Sequence, residues 1–268
     1  MSTLISTTFQ TLKAKNKKAV IPFLTADFPN RKTFLHLLHE LPNHGASIIE
    51  IGIPFSDPMA DGTVIQKTSE QAIHQGFQLN QCLEDVKFFK EQHPTIPIVL
   101  MTYINPLIQY GMADFLQQAR QSQVDGLLMV DVPPEHHDHI IQSPTDINMI
   151  RLITPTTHAD RLGVIQDHAS GFIYYVSVKG ITGSQVPDAS TVQKHLSVIK
   201  NNINLPMVIG FGISNEDIAK DMSEISDGVV IGSSFIKPFL GAKDDDFESI
   251  SATQLAFIKR VYDRIHHD

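Results

Sequence analysis

Residues 19–53 read AVIPFLTADFPNRKTFLHLLHELPNHGASIIEIGI, and this stretch decides the fold class. Its two ends, residues 19–25 and 47–53, are short, apolar and rich in β-branched side chains, which predicts buried strands. The segment between them carries apolar residues at helical spacing behind Asn30, a good helix cap. A strand, a helix and a second strand in this order predict one unit of a parallel sheet. The apolar helix positions are Phe34, Leu35, Leu37, Leu38 and Leu41.

The same alternation continues to the end of the chain. Eight strands, each followed by a helical segment, in about 250 residues are typical of a closed (β/α)8 TIM barrel, whereas an open doubly wound sheet usually has about five to seven strands. We therefore expect an α/β fold, a single (β/α)8 barrel domain over residues 1–268. The six further strands are predicted near residues 96–101, 126–130, 148–153, 172–176, 206–209 and 228–231.

Two further sets of apolar residues at helical spacing predict helices, one before the first strand and one between the third and fourth strands. Leu4, Ile5, Phe9 and Leu12 lie at helical spacing and predict an N-terminal helix packed on the barrel. The alternative, an organelle-targeting peptide, is disfavoured because the segment has no arginine. A second stripe, predicted to face the core, consists of Ile108, Met112, Phe115 and Leu116.

Composition excludes several classes of protein. The formal net charge is −8 and basic residues form no stripe with interleaved aromatic residues, which argues against a nucleic-acid partner. Apolar runs are far shorter than the roughly 20 residues needed to cross a membrane. Cys82 is the single cysteine, so the chain cannot form an internal disulfide, and a cytoplasmic location is expected.

Glu50 is the first candidate for catalysis. Strand alternation places it on one face with Ile48 and Gly52, while the branched face opposite suits the helix layer. Glu50 then points into the barrel, where burial raises the pKa of a carboxyl group and makes it a candidate general acid and base. The alternatives are a solvated glutamate on an edge strand and a carboxylate paired with a structural arginine.

Loops after the predicted strands complete the candidate site. Residues 54–62 include two further acids, Asp57 and Asp61, and two prolines that make the loop stiff. Glycines follow the seventh strand in residues 210–212 and the eighth in residues 232–234, and their backbone N–H groups suit a phosphate without any lysine. Residues 180–190 lack a helical period and predict a long loop.

The run IEIGIPFSDPMADG at residues 49–62 closely resembles the signature of the tryptophan synthase alpha chain family. The chain departs from the family pattern at two places, both in loops. It has ADFP at residues 26–29, where the family commonly has a glycine near Asp27, and Thr63 where proline is common. The resemblance extends along nearly the whole chain, through PFLT at 22–25, LMTY at 100–103, DVP at 131–133, GITG at 180–183, GFGIS at 210–214 and GS at 232–233.

The resemblance implies a reaction and a role for each matched residue. The reaction is retro-aldol cleavage of indole-3-glycerol phosphate to indole and glyceraldehyde 3-phosphate, with Glu50 moving the protons and Asp61 accepting the indole N–H. Thr182, on a mobile lid, is expected to hydrogen-bond Asp61. The expected indole pocket is Phe23, Leu100, Tyr103, Tyr174 and Phe211. The expected phosphate site is Gly183, Gly212, Gly232 and Ser233.

The resemblance also implies a partner. Family members pass indole to a beta chain that holds pyridoxal phosphate, in an alpha2beta2 complex, and the alpha chain needs no cofactor or metal of its own. The matching contact surface here is the loop 54–58, with Asp57, and the pair Asn105 and Pro106. A histidine-rich run at residues 135–139 is interpreted as a solvated helix face, not as a metal site.

Three alternatives stay open. Another phosphate-binding barrel, such as indole-glycerol-phosphate synthase or a phosphoribosyl isomerase, would use a catalytic lysine or a different acid pair. A non-catalytic allosteric activator of the beta chain is disfavoured by the presence of both Glu50 and Asp61. A stand-alone lyase that releases free indole would have the same acid pair.

Overall fold

The computed structural model describes residues 3–141, 145–176, 189–210 and 212–267. Within these ranges the backbone forms nine parallel strand segments in one sheet, surrounded by helices. The segments are β1 (Ala19–Thr25), β2 (Ile49–Gly52), β3 (Ile98–Thr102), β4 (Gly126–Met129), β5 (Asn148–Met149), β6 (Arg151–Ile153), β7 (Ile173–Tyr175), β8 (Met207–Ile209) and β9 (Gly228–Ile231).

The sheet order is β5-β4-β3-β2-β1-β9-β8-β7-β6, and its two ends meet at one residue. Only Ile150 separates β5 from β6, and the Ile150 N–H donates to the Leu127 carbonyl at 2.9 Å. β5 pairs with β4, whereas β6 pairs with β7. The predicted strand 148–153 therefore passes its hydrogen bonds from one neighbour to the other, which nearly closes the barrel and confirms the predicted TIM-barrel fold.

Helices cover the outside of the strands as the periodicity predicts. Asn30 caps the helix after β1 through a 2.9 Å bond from the Thr33 N–H to its Oδ1. The helices are α1 (Leu4–Ala14), α2 (Arg31–Glu40), α3 (Thr63–His74), α4 (Leu79–Gln92), α5 (Ile104–Tyr110), α6 (Met112–Gln121), α7 (His137–Ile140), α8 (Leu162–Asp167), α9 (Ala189–Lys200), α10 (Glu216–Ile225), α11 (Ser233–Ile236) and α12 (Phe247–His266).

The N-terminal helix packs on the barrel as predicted. Ile5 and Phe9 of α1 are buried, and the ring of Phe9 lies 5.8 Å from that of Phe172, just before β7. Its capping residue Thr3 donates to Asn148 Oδ1 of β5 at 3.2 Å. α1 is thus attached to the start of the strands, at the end of the barrel opposite the strand C-termini.

One predicted stripe is wrong in part. Gly111, at φ 93°, separates α5 from α6, so the stripe does not lie on one continuous helix. Phe115 and Leu116 of α6 are buried, whereas Ile108 of α5 is 62% exposed. Elsewhere, Cys82 is a buried free thiol. Among the described residues, no helix has both the length and the apolar character required to cross a membrane.

Candidate active site

Glu50 lies in the middle of the barrel wall and points to its interior. Its backbone is in register with Phe23 of β1 and Val99 of β3, so β2 is not an edge strand. The side chain is 2% exposed, and neither of its oxygens has a hydrogen-bond partner among the described residues. Burial, and then the charge of Asp61, raise the pKa of Glu50 to about 8. Glu50 is therefore neither a solvated edge residue nor part of an arginine ion pair within the described structure.

Asp61 lies in the loop between β2 and α3 and is buried. Its side chain is 6% exposed, and the Tyr103 hydroxyl donates to its Oδ2 at 3.1 Å. The Ala60 N–H donates to the same hydroxyl at 2.9 Å, which fixes the tyrosine. Burial raises the pKa of Asp61 to about 6, although the bond from Tyr103 acts in the opposite direction.

The two carboxyl groups therefore lose their protons at different pH values. Between about pH 6 and pH 8, Glu50 is mostly protonated while Asp61 is mostly ionised. A neutral carboxyl can donate a proton, and an ionised one can accept a hydrogen bond from a group that becomes positive. One site therefore offers an acid and an anion at the same pH.

A cavity of about 710 Å³ opens at the C-terminal ends of the strands beside Asp61. Its walls are mainly apolar and come from strand positions that face the barrel interior. Besides Asp61 and Thr154, its polar groups come from the segments after β8 and β9. The apolar wall includes Phe23, Met101, Leu128, Leu152, Tyr174 and Val230. The polar groups include Gly212, Ser214, Gly232, Ser233, Ser234 and Lys237.

Two glycines make room for the aromatic rings of this wall. A Cβ atom on Gly52 would lie 2.5 Å from Cζ of Phe23, and one on Gly210 would lie 2.2 Å from Cζ of Tyr174. Both distances are too short for a real contact, so each ring occupies the space that a larger residue would fill. The space beside Gly52, on the same strand face as Glu50, is thus filled by the ring of Phe23.

Two of the predicted pocket residues need correction. Leu100 does not line the cavity, because it is in register with Ile51 and Leu127 on the layer that faces the helices. Its neighbour Met101 faces inward and lines the wall, as alternation along a strand requires. Tyr103 is also not on the wall; it is buried beside Asp61, with its ring 5.3 Å from that of Phe55.

The remaining predicted residues fall into two groups. Phe23, Tyr174, Gly212, Gly232 and Ser233 line the cavity together with Asp61. Three other predicted residues, and most of the predicted lid segment 180–190, lie outside the residues that the structure describes. These three are Thr182, Gly183 and Phe211.

Sequence reasoning missed Lys237, which lines the cavity although the phosphate site was expected to need no lysine. Lys237 follows α11 and begins the short 3-10 helix Lys237–Phe239. It lies four residues after Ser233, and this spacing places two helical side chains on one face. The spacing from Ser233 is visible in the sequence, but only the structure shows that the helical turn continues to Lys237.

A group of histidines lies elsewhere, between α7 and α8. His137, Asp138 and His168 offer ligand atoms within 4.8 Å of one another, the single such group of three in the described part of the chain. The guanidinium Nη2 of Arg151 lies 2.7 Å from Nδ1 of His137, however, and a buried cation there opposes a metal ion. A metal ion held by these three side chains would therefore lie next to the positive charge of Arg151.

Comparisons with known proteins agree with this architecture. The family model described as tryptophan synthase alpha chain matches residues 9–263. A tryptophan synthase alpha chain from Psychrobacter sp. (strain PRwf-1) is 42% identical over 265 residues, which covers 98% of this chain and 96% of the relative. One from Xylella fastidiosa (strain M12) is 43% identical over 244 residues, covering 90% and 91% of the two chains.

A solved structure gives the same result for the fold. The crystal structure of tryptophan synthase subunit alpha from Legionella pneumophila str. Paris aligns with a TM-score of 0.90 and 32% identity, covering 100% of both chains. The match of the family model to nearly the whole chain agrees with the sequence identities and with this structural similarity. The chain therefore belongs to the tryptophan synthase alpha chain family, whose members act in tryptophan biosynthesis.

Proposed function

We propose that this chain is a carbon–carbon lyase that cleaves indole-3-glycerol phosphate into indole and glyceraldehyde 3-phosphate. The observation that carries the proposal is the pair Glu50 and Asp61, whose pKa values of about 8 and about 6 differ. Asp61 lines the apolar cavity, and Glu50 is buried close enough for the charge of Asp61 to raise its pKa, although it does not itself line the wall. The reaction needs a proton donor, a proton acceptor and a fixed anion, and these two residues can supply all three.

Glu50 moves the protons in this scheme. Its neutral carboxyl delivers a proton to indole C3, and the resulting carboxylate then takes the proton from the glycerol hydroxyl next to the breaking bond. As that hydroxyl becomes the aldehyde, the carbon–carbon bond breaks and its electron pair returns to the indole ring. Glu50 ends the cycle protonated again. Neither of its oxygens has a hydrogen-bond partner among the described residues, so both are available for these transfers.

Asp61 stabilises the intermediate charge. Protonation at C3 makes the indole nitrogen cationic, and an ionised carboxylate that accepts its N–H lowers the energy of that state. Tyr103 holds the carboxylate through the 3.1 Å hydrogen bond to Oδ2 and leaves Oδ1 for the substrate. Tyr103 therefore acts as a positioning residue.

The cavity provides matching surfaces for the rest of the substrate. Phe23 and Tyr174 belong to the apolar wall that would hold the indole ring. Gly212, Gly232 and Ser233 would hold the phosphate, since backbone N–H groups at glycines approach an anion closely. Every step is a proton transfer or the bond cleavage that it assists, so we propose that the chain uses no cofactor or metal of its own.

We further propose a beta chain as the partner, with pyridoxal phosphate bound in the beta chain and an alpha2beta2 stoichiometry. Two exposed apolar side chains lie beside the loops expected at the contact. Met59 follows the loop 54–58 and is 74% exposed, and Ile108 on α5 follows Asn105 and Pro106 and is 62% exposed. Exposed apolar groups of this kind are typical of protein interfaces. A cytoplasmic location stays a prediction from the single cysteine.

The test is indole release from indole-3-glycerol phosphate by the purified chain, alone and with a tryptophan synthase beta chain. Slow release that rises strongly with the beta chain supports both the reaction and the partner. Fast release that the beta chain does not change would identify a stand-alone lyase. No release in either case would contradict the reaction and favour an allosteric activator or another phosphate-binding barrel.

A further inference from the structure

The substrate of the proposed function is an anion, whereas the protein and its cavity also carry negative charge. A phosphate monoester carries roughly −1.5 to −2 charge at pH 7, and the chain has a formal net charge of −8. The cavity wall also includes Asp61, which is mostly ionised at this pH. Such a site repels an anion unless a positive group lies near its phosphate-binding end.

Lys237 is the one cationic residue of the cavity wall within the described ranges. The backbone at Lys237 has φ −53° and ψ −40°, so the helical turn that begins at Ser233 continues through it. Ser233 and Lys237 are therefore neighbours on one face of this turn. Gly232 and Ser234, on the same loop, line the cavity as well. The lysine thus belongs to the polar end of the cavity.

The side chain of Lys237 is available for a ligand. The residue is exposed, and no hydrogen bond or ion pair joins its ammonium group to another residue in the described part of the chain. By contrast, Lys90 is buried in an ion pair with Asp125 at 2.9 Å. An unpaired ammonium group on a flexible stem is a suitable partner for a phosphate.

We propose that Lys237 is a specificity-determining residue for the phosphate group, adding a charge-assisted contact to the backbone groups of the loops after β8 and β9. This inference rests on the proposed function. Because the phosphate takes no part in bond cleavage, the contact is made equally in the ground state and the transition state. Its loss therefore raises KM and leaves kcat nearly unchanged.

The test compares two ligands with three variants of the full chain. The phosphate ligand is indole-3-propyl phosphate, which lacks the glycerol hydroxyls and is not cleaved, and the second ligand is indole. Calorimetric titration is made with Lys237→Met, with the conservative Lys237→Arg, and with Lys243→Met. Lys243 is exposed and outside the cavity wall, so the last variant controls for the change in net charge.

We expect Lys237→Met to weaken binding of the phosphate ester by about 10- to 100-fold, the effect of losing a hydrogen bond to a charged group. Indole binding should be unchanged, Lys237→Arg should retain most of the affinity, and Lys243→Met should resemble the wild type. With indole-3-glycerol phosphate, KM should rise by a similar factor.

Two results would overturn the assignment. Wild-type affinity of Lys237→Met for the phosphate ester would remove the contact, and equal weakening for both ligands would show a structural role instead. Failure of the proposed function gives a different pattern, in which the wild-type chain binds the phosphate ester and releases no indole. A wild-type chain that does not bind the phosphate ester contradicts both proposals.

Discussion

Glu50 and Asp61, called here the reactive end of the site, are 2% and 6% exposed, whereas Ser233 and Lys237 after β9, called the binding end, are exposed to solvent. The first pair is removed from water, so both pKa values rise, and near neutral pH Glu50 keeps a proton that it can donate while Asp61 stays ionised. The second pair keeps its contact with water and offers unstrained donors to an incoming anion. Burial creates reactivity at one end, and exposure permits binding at the other.

The substitution Glu50→Gln tests the reactive end most directly. The amide keeps the shape of the side chain and cannot cycle a proton, so we expect kcat to fall by about 10²- to 10⁴-fold, the usual contribution of a general acid and base. Binding of indole-3-propyl phosphate should be retained. Steady-state kinetics and calorimetry measure the two effects, with Glu91→Gln on the exposed face of α4 as the control. Turnover like that of the wild type would remove Glu50 from the mechanism.

Asp61→Asn should have the next largest effect. Loss of the anion beside the indole nitrogen should lower kcat by about 10²- to 10³-fold, as expected when one group that stabilises a transition-state charge is removed. The matched control is Asp167→Asn, at an exposed position on α8. An unchanged kcat would exclude Asp61 as the acceptor for the indole N–H.

The pH dependence should report both carboxyl groups. Glu50 must be protonated to donate, so kcat/KM should fall above about pH 8, and Asp61 must be ionised, so kcat/KM should fall below about pH 6. On the acid limb and on the alkaline limb of this pH profile, kcat/KM should change about tenfold per pH unit. In Asp61→Asn the acid limb should disappear, and its persistence would assign that limb to another group.

Ser233→Ala should have the smallest effect and should act at the binding end. Loss of one hydroxyl donor is expected to raise KM by about three- to tenfold with little change in kcat, because the backbone N–H groups remain. Ser197→Ala, on the exposed face of α9, serves as the control. A fall in kcat without a change in KM would show that the two ends are not independent.

The sequence predicted the reactive end better than the cavity wall. The position of Glu50 follows from strand alternation, a short-range rule that holds within a parallel barrel. The same rule places Leu100 and Met101 on opposite faces, so an error of one residue in matching a motif replaces the wall residue with an outer one. The wall residues can therefore be predicted only when, for each strand, the residues that point into the barrel are identified from the register with the adjacent strands.

The other differences come from contacts distant in sequence. Asp61 is buried because Tyr103, at the end of β3, packs under its loop, and no local pattern shows that approach. Lys237 reaches the cavity because the turn after β9 remains helical through a Pro-containing segment. Ile108 is exposed because the positive φ of Gly111 breaks the predicted stripe. Each depends on backbone geometry that periodicity alone does not specify.

The transfer of hydrogen bonds at Ile150 also limits how this chain can associate with others. Sheets commonly recruit a further chain by adding a strand at an unpaired edge. Here the described strands form a ring in which residues 148–153 bond to β4 on one side and to β7 on the other. The association proposed above would therefore use side chains on loops and helices, such as Met59 and Ile108, instead of an added strand.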